Sequence, residues 1–275
     1  MLTMLKRLAS LIPTPATNKV TLFVSDTGIP SYKDDAGLVT PMSGQPIPSG
    51  YIDGLKMEWV SGTQIRFTSG SAYIPSLGRA LALPSALTKT LTLSPNTWYH
   101  NFLYSNAGTP DVETVTTLPD TPYNGTARTK TGDTSRRYIG SFRTMASGAI
   151  AKFTHDLASA AINYLEDLNA TPFTVVAGGT ATTPTTVACS AIVPVTSKRV
   201  KFLANNNASN QFVYMSNSEA VNTLSASSWM SLIAIGSSFY AEFPLDSIQN
   251  FNYMYGGAPT GGQVFIRAVG YVYER

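Results

Sequence analysis

QVFIRAVGYVY, Gln263–Tyr273, is the stretch on which the fold turns. Strand alternation puts Val264, Ile266 and Ala268 on one face and Phe265, Arg267, Val269, Tyr271 and Tyr273 on the other. Both faces carry apolar bulk. A half-exposed edge strand would not, so the segment is expected inside a sandwich whose outer face is covered, with another subunit one way of covering it.

Upstream, strand-like runs recur at Phe173–Val176, Thr186–Ile192, Arg199–Ala204, Gln211–Met215, Met230–Ile235 and Phe239–Phe243. Further back they recur at Thr63–Thr68, Ala80–Leu83, Leu91–Leu93, Trp98–Tyr104 and Val112–Thr117. Gly, Pro and Asn separate them at short intervals, the pattern of a sandwich or barrel-like antiparallel fold. The expected architecture is therefore mainly β, with two antiparallel β-sandwich-like modules: a body at 50–157 and a C-terminal module at 172–275. Residues 19–49 read as a β-hairpin unit and linker, since Lys19–Ser25 alternates and turns at Asp26-Thr27-Gly28. That triplet lacks the second copy that aspartic-protease chemistry needs.

Two short helices are expected. ASAAINYLEDLN, Ala158–Asn169, places Ile162, Leu165 and Leu168 on one helical side, which makes 158–171 a helical connector. MLTMLKRLASLI, Met1–Ile12, repeats Leu5, Leu8, Leu11 and Ile12 at helical spacing before Pro13 and Pro15 end it. Lys6 and Arg7 interrupt its apolar run, which argues against a signal peptide. An amphipathic helix on a Pro-rich linker has little sequence beside it to bury its face. Residues 1–18 are accordingly read as a docking helix and linker, with Leu5, Leu8, Leu11 and Ile12 as its contact residues.

Composition narrows the function. The chain has 275 residues, 43% hydrophobic, enough for a sizeable core. Only 13% are charged, against about 25% in ordinary soluble domains, so the surface relies on Ser, Thr, Asn and Gln or is covered by other chains. A net charge of +3 is too weak a field for nucleic acid. No run approaches a membrane-spanning length. The single Cys189 rules out an intrachain disulfide and a cysteine zinc site, and no cofactor is expected. His100 and His155 belong to no metal-spaced pair or nucleophile motif, and the acidic residues are scattered.

The basic residues gather in YNGTARTKTGDTSRRYIGSF, Tyr123–Phe142, as Arg128, Lys130, Arg136 and Arg137. No P-loop spacing accompanies them. The reading favoured over an anion site is a turn whose Arg128, Arg136 and Arg137 pair with carboxylates of the same or a neighbouring chain. A sugar site is located, if anywhere, at Asn206, Tyr253 and Tyr255, because rings stack on sugar faces and amides bond hydroxyls. The reading favoured over a sugar site makes these a loop and alternate residues of a strand.

TWYHNFLY (Thr97–Tyr104) followed by the run from Val112 to Phe153 resembles a module of tailed-bacteriophage virion proteins of the tail fibre or collar fibre type. KVTLFVSDTGIPSYKDDAGLVT (Lys19–Thr40) is similar to the short β unit that often precedes it. The resemblance covers about half the chain. It implies a non-enzymatic structural role in the virion, in the tail or neck region, and a homotrimer. The implied partners are other copies of the chain and virion proteins such as a tail adaptor, portal or capsid. It carries over no catalytic residue. The rivals are a receptor-binding module recognising bacterial surface glycan through the C-terminal sandwich and, behind it, a glycan hydrolase.

Overall fold

The computed structural model describes residues 6–26, 28–42 and 47–275. Runs of β-branched and aromatic residues between Gly, Pro and Asn turns become short antiparallel strands, as strand preference for pleated, half-buried surfaces dictates. The only helical elements among the described residues are single 3-10 turns at Ala9–Leu11 and Pro75–Leu77. The chain divides into two compact units, 1–48 and 49–275.

In the N-terminal unit, Thr21–Ser25, Pro30–Lys33 and Val39–Pro41 form an antiparallel sheet, and Lys6–Arg7 pairs in parallel with Thr21–Ser25. The expected docking helix is therefore absent from the described residues. Residues 6–12 form a two-residue strand and a 3-10 turn, because so short an apolar run does not nucleate an α-helix against the pull of a neighbouring strand. Leu5 lies outside the described residues. Leu8 and Leu11 are exposed, and Ile12 is buried.

In the large unit, Thr109–Val115, Trp98–Asn106, Asp133–Arg143 and Thr129–Lys130 form one four-stranded sheet. The stretch read as a turn is mostly strand. A bulge opposite Asn101 and Phe102 accommodates Gly140, whose φ of +149° suits glycine and whose Cβ would strike the Met57 side chain.

The C-terminal sandwich faces two sheets. One runs Phe153–Asp156, Ala161–Tyr164, Val264–Val272, Arg199–Asn206, Ser238–Pro244, with Thr174–Gly179 also on Val264–Val272. The other runs Thr185–Ala188, Asn250–Tyr255, Val213–Ser216, Ser231–Ile233. Phe202, Phe243 and Phe251 meet between them. The connector helix is also absent: Ala161–Tyr164 is a strand whose Ile162 lies opposite Tyr271 of the last strand. Pairing with a long central strand overrides the weak helical spacing of a segment this short.

The last strand keeps Val264, Ile266 and Ala268 inside, with Phe265, Arg267 and Val269 half-buried. Tyr271 and Tyr273 are covered by the chain itself. Tyr271 packs on Trp98 and donates its hydroxyl to the Ser141 carbonyl at 2.8 Å. The apolar core is continuous from Leu55 to Tyr273, so body and sandwich share it.

Candidate functional site

The basic cluster is assembled by the four-stranded body sheet. Strands Thr129–Lys130 and Asp133–Arg143 turn back on each other, bringing Lys130 and Arg136 to Glu113 of Thr109–Val115. Lys130 Nζ donates to Glu113 at 3.0 Å and Arg136 Nε at 3.1 Å. Arg136 also lies 3.9 Å from the centre of the Tyr104 ring. Arg128 donates to the Asp120 carbonyl at 3.0 Å and stands 3.6 Å from Glu274.

Arg137 is the exception in kind. It is 0% exposed and has no carboxylate partner among the described residues. Its guanidinium donates to the carbonyls of Tyr138 (2.8 Å), Arg128 (3.3 Å) and Gly50 (3.5 Å), while its Nε finds no acceptor. Burial pulls its pKa down to about 10, which still leaves it charged at neutral pH. It ties a strand to two loops. All four cations thus take the partners described from their own chain, while Arg128 Nε and Arg137 Nε stay buried without an acceptor.

Both histidines are buried. His100 Nδ1 lies 2.7 Å from Ser141 Oγ, which continues to the Tyr138 hydroxyl at 2.8 Å and from there to Thr196 Oγ1 at 2.9 Å. A serine beside a histidine invites a nucleophile reading. Here Ser141 and His100 are each 1% exposed, and His100 Nε2 has no partner. Nucleophilic catalysis needs an oriented base and access for substrate, and this network offers neither. Burial pushes the His100 pKa down to about 4, so the ring is neutral.

His155 Nδ1 accepts from the Met57 backbone at 2.9 Å, which places its proton on Nε2, the donor to the Tyr273 hydroxyl oxygen. Burial, then the charges of Arg275 and Lys56, push its pKa to about 3. His155 borders an open cleft of about 430 Å³ whose polar walls are Lys56, Glu58, Arg66 and Thr154. Among the described residues Glu58 is the only carboxylate lining it, and it is held by Arg66 at 2.6 Å and Lys56 at 3.8 Å. Glycoside hydrolysis across this cleft would need a second carboxylate. No group of three potential metal ligands exists among the described residues.

The residues of the runner-up sugar reading lie inside the sandwich. Asn206 and Tyr255 are 0% exposed and Tyr253 6%. Tyr255 donates to Asn206 Oδ1 at 2.9 Å, and Asn206 Nδ2 donates to the carbonyls of Gln211 and Ala234. This removes the runner-up sugar reading and agrees with the favoured one: odd-numbered residues of Asn250–Tyr255 face the core, so the tyrosines and Asn206 join the two sheets from within.

Rings do reach the surface of the same sheet at positions the sequence reading passed over. Trp229 is 47% and Phe212 39% exposed, and the Tyr214 and Trp229 rings are 6.3 Å apart. A sequence signal existed. Between Lys201 and Glu242 the chain carries one charged residue, Glu219, and between Asp246 and Arg267 none.

The structure defines a charge-poor, antiparallel β protein with a small, apolar-surfaced N-terminal unit and no assembled catalytic constellation among the described residues. No family model matches the chain, and no curated protein matches it.

Proposed function

We propose that the chain is a non-enzymatic structural protein of a bacteriophage virion, a homotrimeric tail or collar fibre held to the particle by its N-terminal unit. The observation that carries this reading is the surface of that unit. Ile12 and Phe23 are its only buried apolar side chains among the described residues, while Leu8, Leu11, Val20, Leu22, Ile29, Leu38, Met42 and Ile47 are exposed. A unit this small cannot bury enough surface to stand well alone, and a dense set of exposed apolar side chains marks a surface made to be covered.

The docking reading is best supported for a different set of residues. Strand alternation places Leu22 opposite Phe23, and across the sheet Leu22 is registered with Tyr32 and Tyr32 with Thr40. The docking surface is therefore a sheet face with Leu8 and Leu11 beside it in sequence, in place of a helix face. Its covering partners are other copies of the chain or a tail adaptor, portal or capsid protein. The low charge of the whole chain and the sequence resemblance support an assembled state in the tail or neck of a virion. Sedimentation equilibrium of the full chain tests the trimer: the mass of three chains is expected, and a stable monomer would sink it.

A further inference from the structure

We propose that the outer face of the sheet Thr185–Ala188, Asn250–Tyr255, Val213–Ser216, Ser231–Ile233 binds a neutral glycan through Trp229, Tyr214 and Gln211. The inference does not rest on the virion reading. A monomer in sedimentation would leave it standing, and its failure would leave the trimer standing.

Three observations meet at this face. First, the rings are set for stacking. Tyr214 points outward in register with Met254 and Leu232, and Trp229 tilts 39° against it, presenting two apolar surfaces at a shallow angle. Sugar rings have apolar C–H faces that such surfaces cover. Phe212, on the same side as Tyr214 by alternation, extends the platform.

Second, polar groups beside the rings are unengaged. The Tyr214 hydroxyl, the Trp229 indole N–H and the Gln211 amide make no hydrogen bond described within the chain. Tyr214 and Gln211 are brought together by glycine: a Cβ on Gly256 would meet Tyr214 at 3.0 Å, and one on Gly257 would meet Gln211 at 3.1 Å. An amide supplies both donors and an acceptor, the pairing that a sugar's vicinal hydroxyls need.

Third, the strands of the face carry no charge. None of the four strands contains Asp, Glu, Lys or Arg, and Glu219 is the sole charged residue in the loops joining Val213–Ser216 and Ser231–Ile233 to the rest of 202–241. An acidic polysaccharide would find no cation in these segments, and a nucleic acid still less. Exposed aromatics set among Ser, Asn and Gln have the adaptable composition of binding loops, with large rigid contacts and neutral hydrogen-bonding groups. The ligand chemistry that matches all three is an uncharged hexose polymer.

The test is affinity electrophoresis of the full chain in native gels containing dextran, galactomannan or mixed-linkage β-glucan, with polygalacturonate as the anionic control. Retardation by at least one neutral polymer and none by polygalacturonate is expected. Trp229→Ala should weaken the apparent affinity about tenfold, a loss of roughly one stacked ring, and Tyr214→Ala similarly. Trp229→Phe should retain part of the retardation, whereas Val221→Ala, at a fully exposed position, should change nothing. Circular dichroism confirms that each variant is folded. Equal migration with and without all three neutral polymers overturns the proposal, as does retardation that survives Trp229→Ala. A change in oligomeric state caused by Trp229→Ala, without any glycan effect, would assign the face to a protein partner instead.

Discussion

In the large unit Phe202 is fully buried, its ring 4.8 Å from Phe251 and 6.0 Å from Phe243, while in the N-terminal unit Leu22 stands 56% exposed on an equally regular strand. Both lie on short antiparallel strands bounded by turn residues. The difference is what the opposite layer provides. Phe202 belongs to a sheet that has a second sheet to face, and Leu22 to one whose outward face has no covering layer of its own among the described residues. Apolar area inside stabilises a fold; the same area outside drives association. On the proposed docking reading, the large unit stands by itself and the N-terminal unit is held by a partner.

The comparison breaks most sharply at Phe202. Phe202→Ala should destabilise the large unit by about 3–5 kcal/mol, from lost burial and the cavity left between Phe243 and Phe251. A urea titration followed by tryptophan fluorescence measures it, and a loss below about 1 kcal/mol would mean the sandwich core is not shared as described. Next comes the pair of neighbouring arginines. Arg137→Ala removes a buried guanidinium from three carbonyls and should cost about 3 kcal/mol. Arg136→Ala, whose ion pair with Glu113 is partly solvated, should cost at most about 1 kcal/mol.

Acid distinguishes the units by another route, because His100 and His155 both belong to the large one. Each is neutral in the fold, with folded pKa values near 4 and near 3, and takes up a proton below about 6.5 once unfolded. The stabilisation is complete above pH 6.5 and is lost as pH falls toward the folded values. The slope is on the order of 1.4 kcal/mol per pH unit for each histidine within that window. His155→Gln should flatten the profile between pH 6 and pH 4 by about half, as read from urea midpoints. An unchanged slope would mean that His155 is protonated in the fold, against its acceptance of the Met57 N–H.

The strand pattern was legible because alternation and turn residues are local. Trp98–Asn106, Arg199–Asn206 and Val264–Val272 follow the expected runs closely. What misled was pairing at a distance. Ile162, Leu165 and Leu168 keep a helical spacing, but Ala161–Tyr164 is held as a strand between neighbouring Phe153–Asp156 and a strand a hundred residues later in the chain. Asp133–Arg143 was hidden by its polar start, since charged residues at a strand's beginning read as turn until Glu113 is known to lie across the sheet.

The residues considered for sugar contact show the limit of alternation. The spacing of Phe251, Tyr253 and Tyr255 says that they share a face, and nothing local says that this face is the inner one. The outer platform was recoverable from the charge-free segments around Trp229, a signal that lies in what the sequence omits.

The smallest effect on stability, and the most direct test of the contrast, belongs to Leu22. Leu22→Ala removes a side chain that is already mostly in water, so the unfolding free energy of the isolated chain should move by no more than about 0.5 kcal/mol. Association should move much more. If the sheet face bearing Val20, Leu22 and Tyr32 is covered in the assembly, truncating Leu22 forfeits burial worth about 2 kcal/mol at each contact, and three symmetric copies multiply the loss. Sedimentation at micromolar concentration should show the Leu22→Ala chain dissociating where the parent chain stays assembled. If assembly is unchanged and only stability falls, Leu22 is a core residue of its own unit, and the division into a unit that stands and one that is held fails at that point.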